Sequence, residues 1–247
     1  MRKLSLLIIA AFVFTAFAFS QDGYTMFENT YLTVKTDKYK EFSEAMLKHN
    51  EKYHTTGPYH ANVWMVSTGY HPGSIVWSMG PCSFSHLDSR PTSKDHNEDW
   101  TENVMPNVER VIETGYWRRS DKISYMPDDS LFSKLLITVY DLAQWQEYRF
   151  KDIMGKVSEV YKANNTPHSF SVYFPAFDMP NGRDVAVVWG FKEYAVFDDD
   201  WKFKSQYEEA HGEGSWQKVM DEYRAIVKSS VDEIWEIMPG MMAPMKD

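Results

Sequence analysis

The chain has one cysteine, Cys82, in 247 residues, so no internal disulfide can form in any redox compartment. It lacks a glycine-rich nucleotide loop, a zinc-finger spacing and a nucleophile motif, so no local pattern names a reaction. Basic residues are the minority: 26 Lys and Arg against 35 Asp and Glu give a formal net charge of −9. A surface this acidic repels phosphate backbones and anionic headgroups, which makes nucleic acid a poor partner. No low-complexity tract is present. Without disulfides, stability has to come from packing, and an aromatic content of 16% supplies large apolar side chains for it.

A single uncharged run, residues 4–20, follows Arg2 and Lys3 and ends Ala18-Phe19-Ser20. It reads as a secretory signal over residues 1–20, at or below the length a bilayer crossing needs. The expectation is an exported chain, periplasmic or extracellular, with no membrane span after signal removal. Residues 21–247 then suit one large domain or two smaller ones, each with its own core.

The clearest feature is repetition. Residues 51–60 read EKYHTTGPYH and residues 159–168 read EVYKANNTPH, with Glu, Tyr and His at the same spacing. In the first half, Leu32 and Val34 predict a strand; Tyr39, Phe42, Met46, His49 and Tyr53 predict one face of a helix, which makes His49 a core residue. Strands at 60–67 and 74–80 form a hairpin, a helix runs from about Trp100 through Val104, Val108, Val111 and Ile112, and residues 122–126 form a last strand. The second half repeats that order. A strand around Ile137 precedes a helix carrying Trp145, Tyr148, Val157 and Tyr161; strands at 168–174 and 184–191, a helix at 216–227 and a strand at 233–238 follow. Ile75-Val76-Trp77 aligns with Val187-Val188-Trp189, and Met126-Pro127 with Met238-Pro239. The expected organisation is a first repeat at 21–127, a linker at 128–133, a second repeat at 134–239 and a frayed tail at 240–247.

A β-α-β-β-α-β unit with right-handed crossovers is the ferredoxin-like arrangement, a four-stranded antiparallel sheet with both helices on one face. Strands carrying Trp64, Trp77, Tyr173 and Trp189 cannot leave the other face in water, so the two sheets are expected to meet. In element order and internal repeat, over residues 30–238, the chain resembles the dimeric α/β-barrel superfamily in a tandem form. That group includes antibiotic-biosynthesis-type monooxygenases and chlorite-dismutase-like haem proteins. The resemblance implies an α+β fold, two ferredoxin-like repeats packed sheet to sheet as a pseudo-dimeric barrel with a cavity between the sheets. It implies no particular activity.

Trp64, Trp77, Tyr173 and Trp189 are therefore candidate walls of a site for a small apolar or aromatic molecule, or simply core. His60 and His168 open the second strands of the two halves, and His96 and His211 precede Trp100 and Trp216, each with a Glu two residues on, Glu98 and Glu213. These histidines are candidate rim groups. Together with Glu98 and Glu213 they form a minor alternative ligand set for zinc or iron. No cofactor is assigned. The alternatives to a binding protein are a cofactor-independent or haem-assisted oxygenase and a subunit of an envelope assembly with a protein partner.

Overall fold

The computed structural model describes residues 24–90, 92–127, 132–179 and 182–244. The expected signal at 1–20 and most of the expected linker, residues 128–131, lie outside them. The fold is mixed α+β. The first half runs β1 (Met26–Val34), α1 (Tyr39–Tyr53), β2 (Ala61–Thr68), β3 (Ile75–Cys82), the short helices α2 (Phe84–Asp88) and α3 (Lys94–Asp99), and β4 (Val108–Arg119). The second runs β5 (Lys134–Leu142), α4 (Glu147–Ala163), β6 (Phe170–Pro175), β7 (Val185–Phe191), α5 (Phe203–His211), α6 (Ser215–Ile226) and β8 (Val227–Ile237). No helix among the described residues is long and apolar enough to cross a membrane.

The strands close into one barrel in the order β1-β3-β2-β8-β5-β7-β6-β4, with β4 returning to β1. The two four-stranded sets do more than face each other. They join edge to edge through two antiparallel seams, β2 with β8 (Val66 opposite Trp235) and β4 with β6 (Trp117 opposite Pro175). Among the described residues, closure leaves no strand with a free row of N–H and C=O groups.

Side chains alternate across each strand, so every strand serves two cores. The inward set, including Tyr31, Trp64, Val76, Trp117, Ile137 and Trp235, lines the barrel interior. The outward set packs under helices: Leu32, Val63, Ile75 and Trp77 meet Phe42 and Met46 of α1, while Val172, Val185 and Trp189 share a core with Phe150, Val160, Tyr207 and Ile226 from α4 to α6. Each such side chain contributes about 1.5–3 kcal/mol when fully buried. Trp77 is also tied polarly, its indole N–H donating to Asn50 Oδ1 on α1 at 3.0 Å.

Several expectations need correction. The expected helix from Trp100 ends in a wide turn at Trp100–Val104, and Pro106 lies in the 3-10 turn Met105–Asn107 that follows it. Val108, Val111 and Ile112 instead begin the long strand β4, where β-branched residues pack well. The expected strand at 122–126 reduces to a 3-10 turn and one bridge, Tyr125 to Phe170. Trp145 precedes α4 in a left-handed conformation (φ 65°) that turns it out, 82% exposed, and Tyr148 is exposed as well. The tail is docked through Met241 and Ala243: both are buried, and Asn50 Nδ2 donates to the Met241 carbonyl at 2.7 Å. Cys82 is buried too, and burial pushes its thiol up to about 11, so it stays a protonated, unreactive group.

Gly69 marks how tightly the β2–β8 seam is built. Its φ is +111°, and an added Cβ would lie 2.5 Å from the Asp232 carbonyl oxygen. At Gly73, φ +84°, nothing lies within 4 Å. Gly69→Ala is expected to lower unfolding free energy by about 1–3 kcal/mol more than Gly73→Ala, measured by urea denaturation. Equal losses would mean that the seam is not closely packed there.

Candidate functional site

Inside the barrel, the inward side chains stop short of filling the space. A cavity of about 180 Å³ remains, walled by Phe27, Tyr31, Trp64, Trp117, Ile137 and Trp235, with Asn29, Asn62, Ser78 and Arg183 among its polar groups. Asn29 Oδ1 is buried and has no hydrogen-bond partner, although a buried amide oxygen normally has one. The cavity is thus mainly apolar with one acceptor left open.

Arg183 and Val139 border both this cavity and a wider mouth of about 730 Å³ between Tyr70, His71, Arg110, Glu113, Asp178 and Met179. A buried polar cluster sits at the junction. Tyr31 Oη donates to Glu233 Oε2 at 3.2 Å and accepts from Arg183 Nη2 at 3.2 Å. The Trp235 indole N–H donates to the same carboxylate oxygen at 2.9 Å, and Arg183 Nε stands 3.5 Å from Glu113 Oε1. Glu233 is only 1% exposed, so these donors and the guanidinium replace the water its charge would otherwise hold. Burial, then the Glu233 charge, raises the Tyr31 phenol well above its ordinary value, so it remains a donor. For Arg183 burial works against the charge, but Tyr31 and Glu113 outweigh it and the guanidinium stays cationic.

Of the aromatic residues expected to wall a site, Trp64 and Tyr173 line the interior cavity, whereas Trp77 and Trp189 lie on the outer face under helices. The repeated histidines do not converge. His60 is buried at the start of β2 with Nε2 unpartnered; His168 lies flat against Trp201 at 4.5 Å; His211 Nε2 contacts the Lys156 carbonyl at 3.1 Å. Glu98 pairs with exposed Lys94, and Glu213 is exposed, so the ligand set of His60, His96, Glu98, His168, His211 and Glu213 is not assembled.

His96 has different neighbours. Its Nε2 lies 3.2 Å from Nε2 of His54, and His49, expected only as a core residue, completes a group in which one ring nitrogen from each falls within 4.8 Å of the others. α1 contributes His49, His54 caps its C-terminus, and α3 brings His96 over them. His49 Nδ1 is 2.7 Å from Asp99 Oδ2, and His54 Nδ1 is 2.8 Å from the Tyr59 carbonyl. Burial lowers the His54 pKa to about 3, the Tyr59 carbonyl opposing the shift, and burial also lowers that of His49, so both rings are neutral near pH 7.

Sequence reasoning passed over Asn29, Tyr31, Arg183, Glu233 and His54. A signal was present for some: Phe27, Asn29 and Tyr31 alternate in β1, and Glu233 shares a face with Trp235. An acid or amide in the apolar phase of a strand points to a polar group inside the barrel. Arg183 comes from the β6–β7 connection, where no periodicity speaks.

No protein-family model and no curated protein matches the chain. Solved structures do. An anthrone oxidase-like protein superposes with a TM-score of 0.53 at 12% identity, covering 88% of this chain and 92% of its own. A candidate monooxygenase from Fusobacterium nucleatum gives 0.51 at 13% identity, covering 90% and 99%. A chlorite dismutase variant from Candidatus Nitrospira defluvii gives 0.51 at 7%, covering 89% and 94%. At these identities, 12%, 13% and 7%, the likeness is one of fold alone.

The neutral His54 makes stability pH-dependent. Its folded pKa is depressed to about 3 from 6.5, so the unfolded chain binds a proton first as pH falls. Stability from this group is complete above 6.5 and is lost progressively between 6.5 and 3. In chelator-containing buffer, moving from pH 7.5 to 5 is expected to cost roughly 2 kcal/mol through this group. Urea titrations of wild type and His54→Phe at both pH values check it: the variant should lose less, and an identical loss would contradict a neutral buried His54.

Proposed function

We propose that this chain is an exported binding protein for a small, single-ring aromatic molecule carrying a hydrogen-bond donor, held in the barrel interior. The observation that carries the reading is the open acceptor, Asn29 Oδ1, in a mainly apolar cavity of about 180 Å³. An apolar cavity of about 150 Å³ is enough to take up benzene, so one ring fits this volume. Tryptophans Trp64, Trp117 and Trp235 offer its faces edge and stacking contacts. A phenol's hydroxyl would donate to Asn29, and the ring would enter from the mouth past Arg183. The two halves, with their common element order, are read as copies of one module whose inner faces together make the pocket.

A haem does not fit this reading. Among the described residues no histidine lines the interior cavity, and its volume of about 180 Å³ does not accommodate a macrocycle. An oxygenase reading has only the fold neighbours behind it, and one fold hosts many activities.

Phenol and toluene titrations, followed by tryptophan fluorescence and calorimetry on the mature chain, test the proposal. Saturable phenol binding stronger than toluene binding is expected. Asn29→Leu should erase about tenfold of that preference, the worth of one buried hydrogen bond. Ala186→Leu, which fills the cavity, should weaken both ligands. Absence of saturable phenol binding, or binding indifferent to Ala186→Leu, would overturn it.

A further inference from the structure

We propose that His49, His54 and His96 form a binding site for one divalent first-row transition-metal ion of the zinc type, on the outer face of the first half. The proposal stands apart from the interior pocket, because the histidines lie between the sheet and α1/α3, across the barrel wall from Asn29.

The hydrogen-bond partners fix which nitrogens are free. Tyr59 offers His54 Nδ1 a carbonyl oxygen at 2.8 Å, which can only accept, so His54 carries its proton on Nδ1 and leaves a lone pair on Nε2. Asp99, a carboxylate held below its ordinary range by hydrogen bonds from His49 and Asn103 that outweigh its burial, does the same for His49. At His96 the Nδ1 neighbour is Asn97 Oδ1 at 3.4 Å, again an acceptor. His49 and His54 are therefore set in the tautomer whose Nε2 lacks a proton, and the same tautomer of His96 presents a third free Nε2. Two such lone pairs, on His54 and His96, face each other at 3.2 Å. With both lone pairs free that contact is repulsive unless a cation, metal or proton, stands between them.

With a cation it is ordinary. Ligands at roughly 2.0–2.1 Å in a tetrahedral zinc site stand roughly 3.3–3.4 Å apart. The outer partners also match what metal-bound histidines require, an acceptor on the distal nitrogen that fixes ring orientation and raises ligand basicity. A porphyrin iron is a poor occupant, since its four equatorial positions are filled and three imidazoles cannot converge on one side. A bare ion suits three neutral nitrogens.

The elements that deliver the rings carry the marks of a built site. His49 and His54 are buried, 1% and 3% exposed, and His96 sits at the lip. The five-residue turn Trp100–Val104 directly after α3 is a π-type turn, a distortion frequent at functional positions. It follows Asp99 immediately, so the carboxylate that holds His49 Nδ1 ends the regular helix that brings in His96.

Three protein ligands leave a fourth position open toward a cleft of about 470 Å³ bordered by Thr30, Arg90, Thr92, Thr101 and Thr114. Arg90, paired with buried Glu28, has its Nε unpartnered there, so the cleft is hydroxyl-lined and holds one open N–H donor. That environment suits water or a small oxyanion on the metal.

The test uses the full mature chain, stripped with chelator and then titrated with Zn²⁺ against a chromophoric competitor and with Co²⁺ by visible absorption. One ion per chain and the intense absorption of tetrahedral cobalt are expected at pH 7.5. His96→Ala, at the lip and so compatible with folding, should weaken Zn²⁺ binding at least 100-fold; Asp99→Asn should weaken it 10–100-fold. His168→Ala and His211→Ala should change nothing. Circular dichroism of each variant separates loss of binding from loss of fold, and wild-type cobalt absorption reads the site without any variant. No stoichiometric metal on wild type, or affinity unaltered in folded His96→Ala, would overturn the proposal. In that case a proton shared between His54 and His96 would account for their contact. Phenol binding by the interior has no bearing on either result.

Discussion

Edge pairing between the two halves is the constraint on which the rest depends. If β2 did not lie beside β8, and β4 beside β6, the inward tryptophans of each half would face water and Glu233 would have no low-dielectric interior in which to anchor Tyr31 and Trp235. Closure makes one apolar compartment from two half-compartments. It also places Tyr31, from the first strand, 202 positions from the Glu233 that holds it. Such long-range pairing costs loop entropy and implies slow assembly relative to a helical protein of the same size.

A strand in this barrel carries two unrelated tasks in alternate positions. In β1, Phe27, Asn29 and Tyr31 point to the interior, while Glu28 and Thr30 border the outer cleft beside the histidines. A change in register by one residue would exchange the two sets, so the same pairing that seals the barrel also fixes both candidate sites. Rigidity on both faces follows from sharing one sheet.

The sequence made the fold legible through periodicity: α1, the two hairpins and the order of elements in each half can be read from apolar spacing and Gly/Pro turns. β4 escaped because Val108, Val111 and Ile112 satisfy helical spacing as well as they suit a strand, and only the turns around Trp100 and Pro106 decide between them. The sites were less legible. Matching residues across the halves drew attention to His60, His168 and His211, yet the histidines that meet, His49, His54 and His96, are all in the first half and have no matching trio in the second. Repetition marks what the architecture needs in both halves, and a site built in one half is hidden from it. Trp77 and Trp189, aligned between halves, show the same thing: each packs under helices on the outer face.

The account stands or falls on an apolar space enclosed by the joined halves, and xenon under pressure reads that space directly. Diffraction from a pressurised crystal should show one xenon atom among Trp64, Trp117, Ile137 and Trp235, in the cavity of about 180 Å³. Side chains packed through that position, with no xenon taken up between the halves, would contradict it.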